Sequence, residues 1–507
     1  LTLWLQDQAS NVSWGYPFSI YFDNETLSTP SSDNLSITFS GDLATFSLNL
    51  SDPTGYFLIV QDNSTAPSGS DPRWQPVSNG YQLALTSLSD TVSPTFYAWV
   101  RDDAGNITDN FSKTVQVGQL WTETSGILPN FSAFDDNETI GIAFNTQIDN
   151  VSNLPSISVT DNNSAQVGGT WSRRSDNFSV FQFDNTSAMG VGAYQIHMPA
   201  FTDSGNVYAA VNLRFNMISG DGSSANPYGL QSREDLSAMR IYSNKVFEVK
   251  TDIDLAGMDW EPLGRQQPFQ GTLRGDNHTI SNLLVNAPND NYSGLFGKVE
   301  NAIIQDLQLD NVTINSLKNE VIGSLAGDLK NTTVRNVQSR NVTILGGPRT
   351  GGLIGRISGA TSKIDNSSVV QGSIQADCTS YLTAGFNVGG LVGAIPGPTS
   401  IFGSFADLSI QSIGCERTGG LIGAIAATVE VKNSYSLSAI ISDNISVGGL
   451  VGYLKDTTLT NTVSTGSVFS TNNTNVGGLV GENVSGNTFN NSYYDKDRSG
   501  RTDSGKG

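Results

Sequence analysis

A four-residue phrase of glycine and aliphatic side chains returns seven times between residues 294 and 481, and its spacing restricts this chain to a repeat architecture. The copies are Gly294-Leu295-Phe296-Gly297, Ser324-Leu325-Ala326-Gly327, Gly352-Leu353-Ile354-Gly355, Gly390-Leu391-Val392-Gly393, Gly420-Leu421-Ile422-Gly423, Gly449-Leu450-Val451-Gly452 and Gly478-Leu479-Val480-Gly481, 28 to 38 residues apart. A unit of that size cannot bury its apolar face alone, so each copy reads as one coil of a stacked solenoid.

Between copies the side chains alternate, as in Leu307, Leu309, Val312 and Ile314, or Val429, Val431, Tyr435 and Leu437. A period of two belongs to strands. No interval carries a ten-residue amphipathic helical pattern, whereas Gly, Asn, Asp and Ser gather where a coil has to turn. The expectation is a right-handed β-helix whose motif glycines supply positive φ or close approach between coils. The motif leucines, Leu295, Leu325, Leu353, Leu391, Leu421, Leu450 and Leu479, are expected to point inward. An asparagine recurs 11 to 13 residues after a motif leucine, at Asn336, Asn366, Asn433, Asn461 and Asn491. These are expected to form an internal ladder, each amide finding its partner on the neighbouring rung, with ligand contact as the alternative. The coil of Leu391 breaks the series, with Gly403 and Ser404 near the expected place.

Ahead of the repeats, Asn226-Pro227-Tyr228, Asp252-Ile253-Asp254-Leu255, Trp260, Leu263-Gly264, Phe269-Gln270-Gly271-Thr272-Leu273 and His278-Thr279-Ile280-Ser281 resemble the entry to the solenoid of the family named for its GLUG motif. Asn491-Ser492-Tyr493-Tyr494-Asp495, with Gly500, is similar to its last coil. The resemblance covers residues 219–507. It implies an extracellular scaffold of adhesins, surface-anchored proteins and large secreted proteases, and specifies no activity.

A net charge of −20 offers no basic stripe to displace counterions, which argues against a nucleic-acid partner. With 53 glycines and only 15% charged residues, the composition suits folded β repeats better than disorder. No apolar run is long enough to cross a bilayer as a helix. The chain begins Leu1-Thr2-Leu3-Trp4, which reads as a product whose export signal has been removed, and residues 501–507 read as a coil stopped before a cap. Cys378 and Cys415 fall in consecutive coils, whose spacing of about 4.8 Å suits a disulfide, with two buried thiols as the alternative. Pairing implies an oxidising location.

Of 46 asparagines, 23 begin Asn-x-Ser/Thr with x not Pro, against about nine expected by chance. Candidates for N-glycosylation are Asn24, Asn63, Asn106, Asn137, Asn311, Asn341 and Asn444. The alternative is that Asn and Ser/Thr merely share turns. Asn366 also begins a sequon, but its place on the internal ladder leaves a glycan no room, so it is expected to be bare.

Residues 1–117 alternate strand-like runs such as 36–39, 56–60, 82–85 and 95–100 with turns rich in Asp, Asn, Ser, Pro and Gly, as in a β-sandwich. The phrase Tyr97 to Asn106 is similar to the closing strands of bacterial Ig-like repeats, and Trp74 and Trp99 read as core anchors. Residues 118–218 repeat the scheme with 140–145, 156–160 and the turn Asp203-Ser204-Gly205-Asn206, and 219–226 read as a linker. The predicted fold is therefore all-β, with two N-terminal Ig-like sandwiches, 1–117 and 118–218, followed by a solenoid, 219–507. Leu1, Leu3 and Leu5 put one aliphatic face on the first strand. That strand belongs to its own sandwich, or it is a donor strand completing the sheet of another copy of the chain in a head-to-tail filament.

Catalysis finds little support in these residues. The two histidines, His197 and His278, lie in different domains, and His-Glu-x-x-His does not occur. Asp252 and Asp254 are the best local acidic pair, yet they alternate with Ile253 and Leu255 and read as structural. Calcium at Asp102-Asp103, or at Asp495, Asp497 and Asp503, is a weaker expectation, and no cofactor is otherwise implied. The sequence reading is thus a non-enzymatic, glycosylated, extracellular protein of a surface appendage, surface layer or adhesin. Its partners would be copies of itself and glycans or proteins of other cells. The alternative is a carbohydrate-active solenoid enzyme or a glycan-binding module.

Overall fold

The computed structural model describes residues 2–3, 16–17, 27–40, 43–84, 94–123, 126–128, 132–135, 139–148, 156–177, 179–186, 189–203, 206–209, 211–286, 291–316, 321–380, 385–443 and 445–502. Two compact units result. One comprises Leu1–Asn130, Thr139–Ser187 and Gln195–Arg214; the other comprises Phe131–Glu138, Ala188–Tyr194 and Phe215–Gly507.

In the first unit a three-stranded antiparallel sheet, Leu35–Ser40, Leu43–Leu48 and Tyr81–Ala84, packs against a six-stranded sheet. The larger sheet runs Phe201–Asp203, Asn206–Tyr208, Phe111–Gln116, Thr95–Asp102, Tyr56–Gln61, Gln75–Pro76. Phe46 and Phe96 meet edge to face at 5.0 Å across the two, and Leu35, Leu58, Val60 and Trp99 complete the core. Trp74 joins this core and donates its ring N–H to the Ser68 carbonyl at 2.9 Å, which satisfies its polar atom. The sheet crosses the sequence boundary at residue 117, because Val207 and Tyr208 pair in parallel with Val115 and Gln116. A further antiparallel sheet runs Gly126–Leu128, Gln119–Thr122, Ile140–Ala143, Val180–Asn185, Gly169–Arg173. At the start of the chain Thr2–Leu3 pairs antiparallel with Tyr16–Pro17; Leu1 and Leu5 lie outside the described residues, as do Asn24, Asn137 and Asn444.

The second unit is a β-solenoid. Its first end is closed by two four-residue helices, Arg233–Leu236 and Ala238–Ile241, the first held by a capping box between Ser232 and Asp235. Leu236 and Met239 from these helices enter the continuous core. Ser132–Phe134 also belongs here, paired in parallel with Phe215 to Met217, and Ala133 joins the same core. Beyond the cap, one parallel ladder of 20 strands and two of 7 strands run along the stack. Each motif leucine sits at the turn between the two shorter ladders, for example between Arg349–Gly351 and Ile354–Ser358. All seven leucines are buried. Their backbones form a ladder of their own: Leu325 N–H donates to the Leu353 carbonyl at 3.0 Å, Leu353 to Leu391 at 3.0 Å, Leu391 to Leu421 at 2.8 Å, Leu421 to Leu450 at 2.9 Å and Leu450 to Leu479 at 2.8 Å. Burying each leucine contributes about 2 kcal/mol.

Of the two roles open to the motif glycines, close approach prevails. A Cβ on Gly352 would stand 2.1 Å from the Gly390 carbonyl oxygen, on Gly390 2.1 Å from that of Gly420, and on Gly420 2.2 Å from that of Gly449. Positive φ falls instead to asparagine and aspartate at the coil corners, where a short polar side chain tolerates the left-handed region. Asn336, Asn366, Asn433, Asn461 and Asn491 have φ between 45° and 52°.

This corrects the expected internal ladder. All five asparagines are exposed. The ladder itself exists, since Asn461 Nδ2 donates to Asn433 Oδ1 at 3.0 Å and Asn491 Nδ2 to Asn461 Oδ1 at 3.3 Å, but it runs along the outside. A left-handed residue at a corner turns its side chain away from the core, and the residue after it turns inward. The expectation of a bare Asn366 therefore loses its premise. The buried polar ladder consists of those following residues, Ser367, Ser404, Ser434 and Thr462. Ser367 N–H donates to Ser404 Oγ at 3.1 Å and Ser404 N–H to Ser434 Oγ at 3.2 Å, while each serine hydroxyl donates to the carbonyl two residues back. The signal was present as the dipeptide Asn-Ser or Asn-Thr at 366, 433, 461 and 491.

Candidate functional site: the outer faces of the solenoid

A second corner, absent from the sequence reading, carries another exposed ladder. Asn282, Asn311 and Asn341 all have positive φ. Asn282 Nδ2 donates to Asp254 Oδ1 at 2.7 Å, Asn311 Nδ2 to Asn282 Oδ1 at 2.6 Å and Asn341 Nδ2 to Asp310 Oδ1 at 2.8 Å. Asp254, Asn282, Leu284, Asn311 and Thr313 line an open groove of about 410 Å³ beside it. The Asp254 carboxyl is held below the usual carboxylate range by Asn282 and then by the Ala256 N–H. Asp252 is lowered as well, by the Thr279 N–H at 2.9 Å and then by His278, whose Nδ1 lies 3.2 Å away. A general acid needs the opposite shift. Both aspartates instead tie one coil to the next. His197 lies in the other unit, exposed and bonded to Asn212 at 2.8 Å.

A different face changes character along the stack. Outward positions in one row of the long ladder read Gln308, Gln338, Ser368, then Phe405, Tyr435, Val463, Tyr493. A parallel row reads Asn315, Leu345, Gln375, Gln411, then Ile441, Phe469. Phe405 and Tyr435 stack at 4.6 Å, while Ile441, Phe469 and Tyr493 are 57%, 56% and 64% exposed. Along these rows the first coils present mainly amides and the last coils mainly apolar side chains, with the exposed Asp407 lying between the two rows on the strand of Phe405.

Cys378 and Cys415 are joined, with Cα atoms 5.1 Å apart across consecutive rungs. Among the described residues no group of three or more His, Cys, Asp or Glu is placed to hold a metal. The Asp102 carboxylate accepts from the backbone and side chain of Asn106, at 2.8 and 2.9 Å, and Asp495 caps the helix Lys496–Ser499; Asp503 lies outside the described residues. The sandwich unit has an open pocket of about 540 Å³ lined by Arg73, Gln75, Asn79, Tyr81 and Gln82. Arg73 there is engaged by Asp71 at 2.8 Å.

The fold and these faces define a class, the β-solenoid that presents long lateral surfaces from a rigid stack. Residues 265–341 match the family described as the M26 IgA1-specific metallo-endopeptidase N-terminal region. The chain is 32% identical over 156 residues to the halomucin of Haloquadratum walsbyi, an alignment covering 27% of this chain and 2% of that protein. It is 32% identical over 173 residues to an immunoglobulin A1 protease of Streptococcus pneumoniae, covering 33% of this chain and 8% of the protease. A provisionally named immunoglobulin A1 protease from Bacteroides ovatus, of known crystal structure, aligns with 54% of this chain and 86% of its own at 19% identity, with a TM-score of 0.42. The chain thus spans 2% and 8% of the two sequence relatives' lengths. Among the described residues no helix is long and apolar enough to cross a membrane.

These matches contradict the expectation of a non-enzymatic protein. Residues 265–341 match a metallo-endopeptidase family, and part of the chain is similar to immunoglobulin A1 proteases. The expectation rested on two histidines and a missing zinc motif within this stretch alone. The aligned segment is a small fraction of those proteases, so the absence of a metal-holding group among the described residues does not bear on the class.

Proposed function

We propose that this chain is a structural and adhesive segment of an extracellular, surface-associated protein related to the M26 metallo-endopeptidases, with its solenoid read as a GLUG-type repeat. The observation that carries the reading is the apolar outer face of the last coils, from Phe405 and Tyr435 to Ile441, Phe469 and Tyr493. Contiguous exposed apolar surface rimmed by polar groups marks interaction sites. In a molecule of net charge −20, a face made mainly of apolar side chains is where a second acidic surface approaches with least repulsion. Its occupant is therefore a protein partner that contributes an apolar contact surface. The surface-type and protease relatives support the location.

The test uses beads coated with the chain and applied to intact cells of the producing organism and of its neighbours. Adhesion is expected to fall several-fold in the double variant Ile441→Asp/Phe469→Asp, and to survive 1 M salt because apolar contact is not screened. Equal adhesion by both proteins, or loss of adhesion in salt, refutes the assignment of that face. Antibody labelling of unpermeabilised cells checks the location independently.

A further inference from the structure

Two geometric classes stand out among the described sequon asparagines. In the first, the side chain closes a three-residue turn: Asn63 Oδ1 accepts the Thr65 N–H at 3.1 Å, Asn177 Oδ1 the Ser179 N–H at 3.1 Å and Asn472 Oδ1 the Thr474 N–H at 3.2 Å. Each bond joins the asparagine to the hydroxyl-bearing residue of its own sequon. Asn63 and Asn177 are exposed and Asn472 is half-buried. In the second class the asparagine is a rung. Asn311 and Asn341 have φ of 54° and 51°, and their Nδ2 atoms are donated to the preceding coil at 2.6 and 2.8 Å. The Thr313 N–H, which would close the turn on Asn311, is already given to the Leu283 carbonyl at 2.8 Å.

We propose that N-linked glycan is carried by Asn63, Asn177 and Asn472, and that the rung asparagines Asn311 and Asn341 are bare. In the reaction, Nδ2 attacks C1 of a lipid-phosphate-linked oligosaccharide. The N–C1 bond forms, the C1–O bond to phosphate breaks, the lipid phosphate leaves with the bonding pair and an Nδ2 proton passes to a carboxylate of the transferase. The turn favours this step. It gathers the sequon hydroxyl beside the carboxamide and uses Oδ1 as the acceptor; Nδ2 of Asn63 donates only to its exposed chain neighbour, Asp62 Oδ1 at 3.2 Å, and not to a distant strand. Because the turn needs only three successive residues, it forms before the coils do and persists after them. A rung differs: its Nδ2 is donated to another coil, its backbone lies in the left-handed region, and a glycan on it would crowd the neighbouring rungs of the exposed ladder. Modification of a rung would replace one of the two Nδ2 hydrogens and set a bulky substituent beside a bond that runs along the stack.

The inference builds on the extracellular reading, and its test is independent of the native location. The full chain is routed through the secretory pathway of a glycosylating host, released with an enzyme that converts glycosylated Asn to Asp in heavy-oxygen water, and mapped by peptide mass spectrometry. Occupancy at Asn63, Asn177 and Asn472 is expected to exceed that at Asn311 and Asn341 by about fivefold or more. The variant N472Q, which alters only a loop, is expected to lower the intact mass by one glycan. Comparable occupancy at Asn311 or Asn341, an unmodified set of turn asparagines, or an unchanged mass for N472Q would overturn it. Failure of surface labelling on native cells, with this occupancy pattern intact, would instead count against the extracellular reading alone.

Discussion

Replacing Gly420 with alanine tests whether close approach is the reason for the motif glycine. An added Cβ would lie 2.2 Å from the Gly449 carbonyl oxygen and 2.2 Å from Ser436 Oγ, roughly 1 Å inside ordinary contact. Neither neighbour yields easily. Gly420 N–H is bonded to the Gly448 carbonyl at 3.1 Å and Leu421 N–H to the Leu450 carbonyl at 2.9 Å, so the backbone is pinned to the next coil on both sides of the substitution. Relief requires separating two coils locally. That costs about 1–3 kcal/mol of packing strain, together with about 1 kcal/mol for a ladder bond that lengthens. The expected loss is about 2–4 kcal/mol, read as a shift of the urea midpoint by far-UV circular dichroism. Gly190→Ala is the control, because nothing lies within 4 Å of its built Cβ and its φ is not in the left-handed region; it is expected to be neutral or slightly stabilising. A Gly420→Ala protein within about 0.5 kcal/mol of the parent would refute the close-approach argument.

Other outcomes follow from the same geometry. Asn461→Ala loses ladder bonds to Asn433 and Asn491 and leaves at φ 50° a residue without the short polar side chain that tolerates the left-handed region, so it is expected to cost about 1–2 kcal/mol in denaturant titration, with Asn461→Gly recovering about half. Removing the Cys378–Cys415 bond, which closes a 37-residue separation, is expected to cost at most roughly 4 kcal/mol by the chain-entropy relation, measured by comparing Cys415→Ser with the parent under non-reducing conditions. Asp252 and Asp254 have carboxyls lowered by hydrogen bonds, so their contribution is complete above the ordinary carboxylate pKa and is lost as pH falls through the lowered values. The double variant Asp252→Asn/Asp254→Asn should therefore flatten the acid limb of the solenoid's stability curve, and an unchanged limb would show that these bonds do not matter to folding.

Much of the fold and little of the candidate site was legible in the residues. The period and the alternation identified stacked β coils and placed every motif leucine inside, because those signals are local and repeat seven times. The asparagine series was visible too, but not its side. Whether Asn461 faces in or out depends on the sign of φ at the corner, and a two-residue spacing rule cannot track a chain through a left-handed turn. The second ladder at Asn282, Asn311 and Asn341 escaped notice because Asp254 and Asp310 share its rungs, so no single residue type repeats. The apolar face was hidden for a different reason. Phe405, Tyr435 and Tyr493 are spaced like any core residues, and only the register shows that they succeed Gln338 and Ser368 on the outer row.

What the chain alone determined is that it stacks: a glycine and leucine phrase at near-constant intervals admits few folds other than a solenoid, since each coil can bury its leucine only against the next. What tertiary structure decided is everything that passes between coils or between distant strands. Which glycines touch a neighbouring carbonyl, which asparagines donate to a rung, which serines are buried, and that Val207 and Tyr208 extend the sheet of Val115 and Gln116 all depend on registers between residues some 30 to 90 positions apart. Local sequence sets the conformations a residue can adopt; the partner that selects among them is brought alongside only when the chain closes on itself.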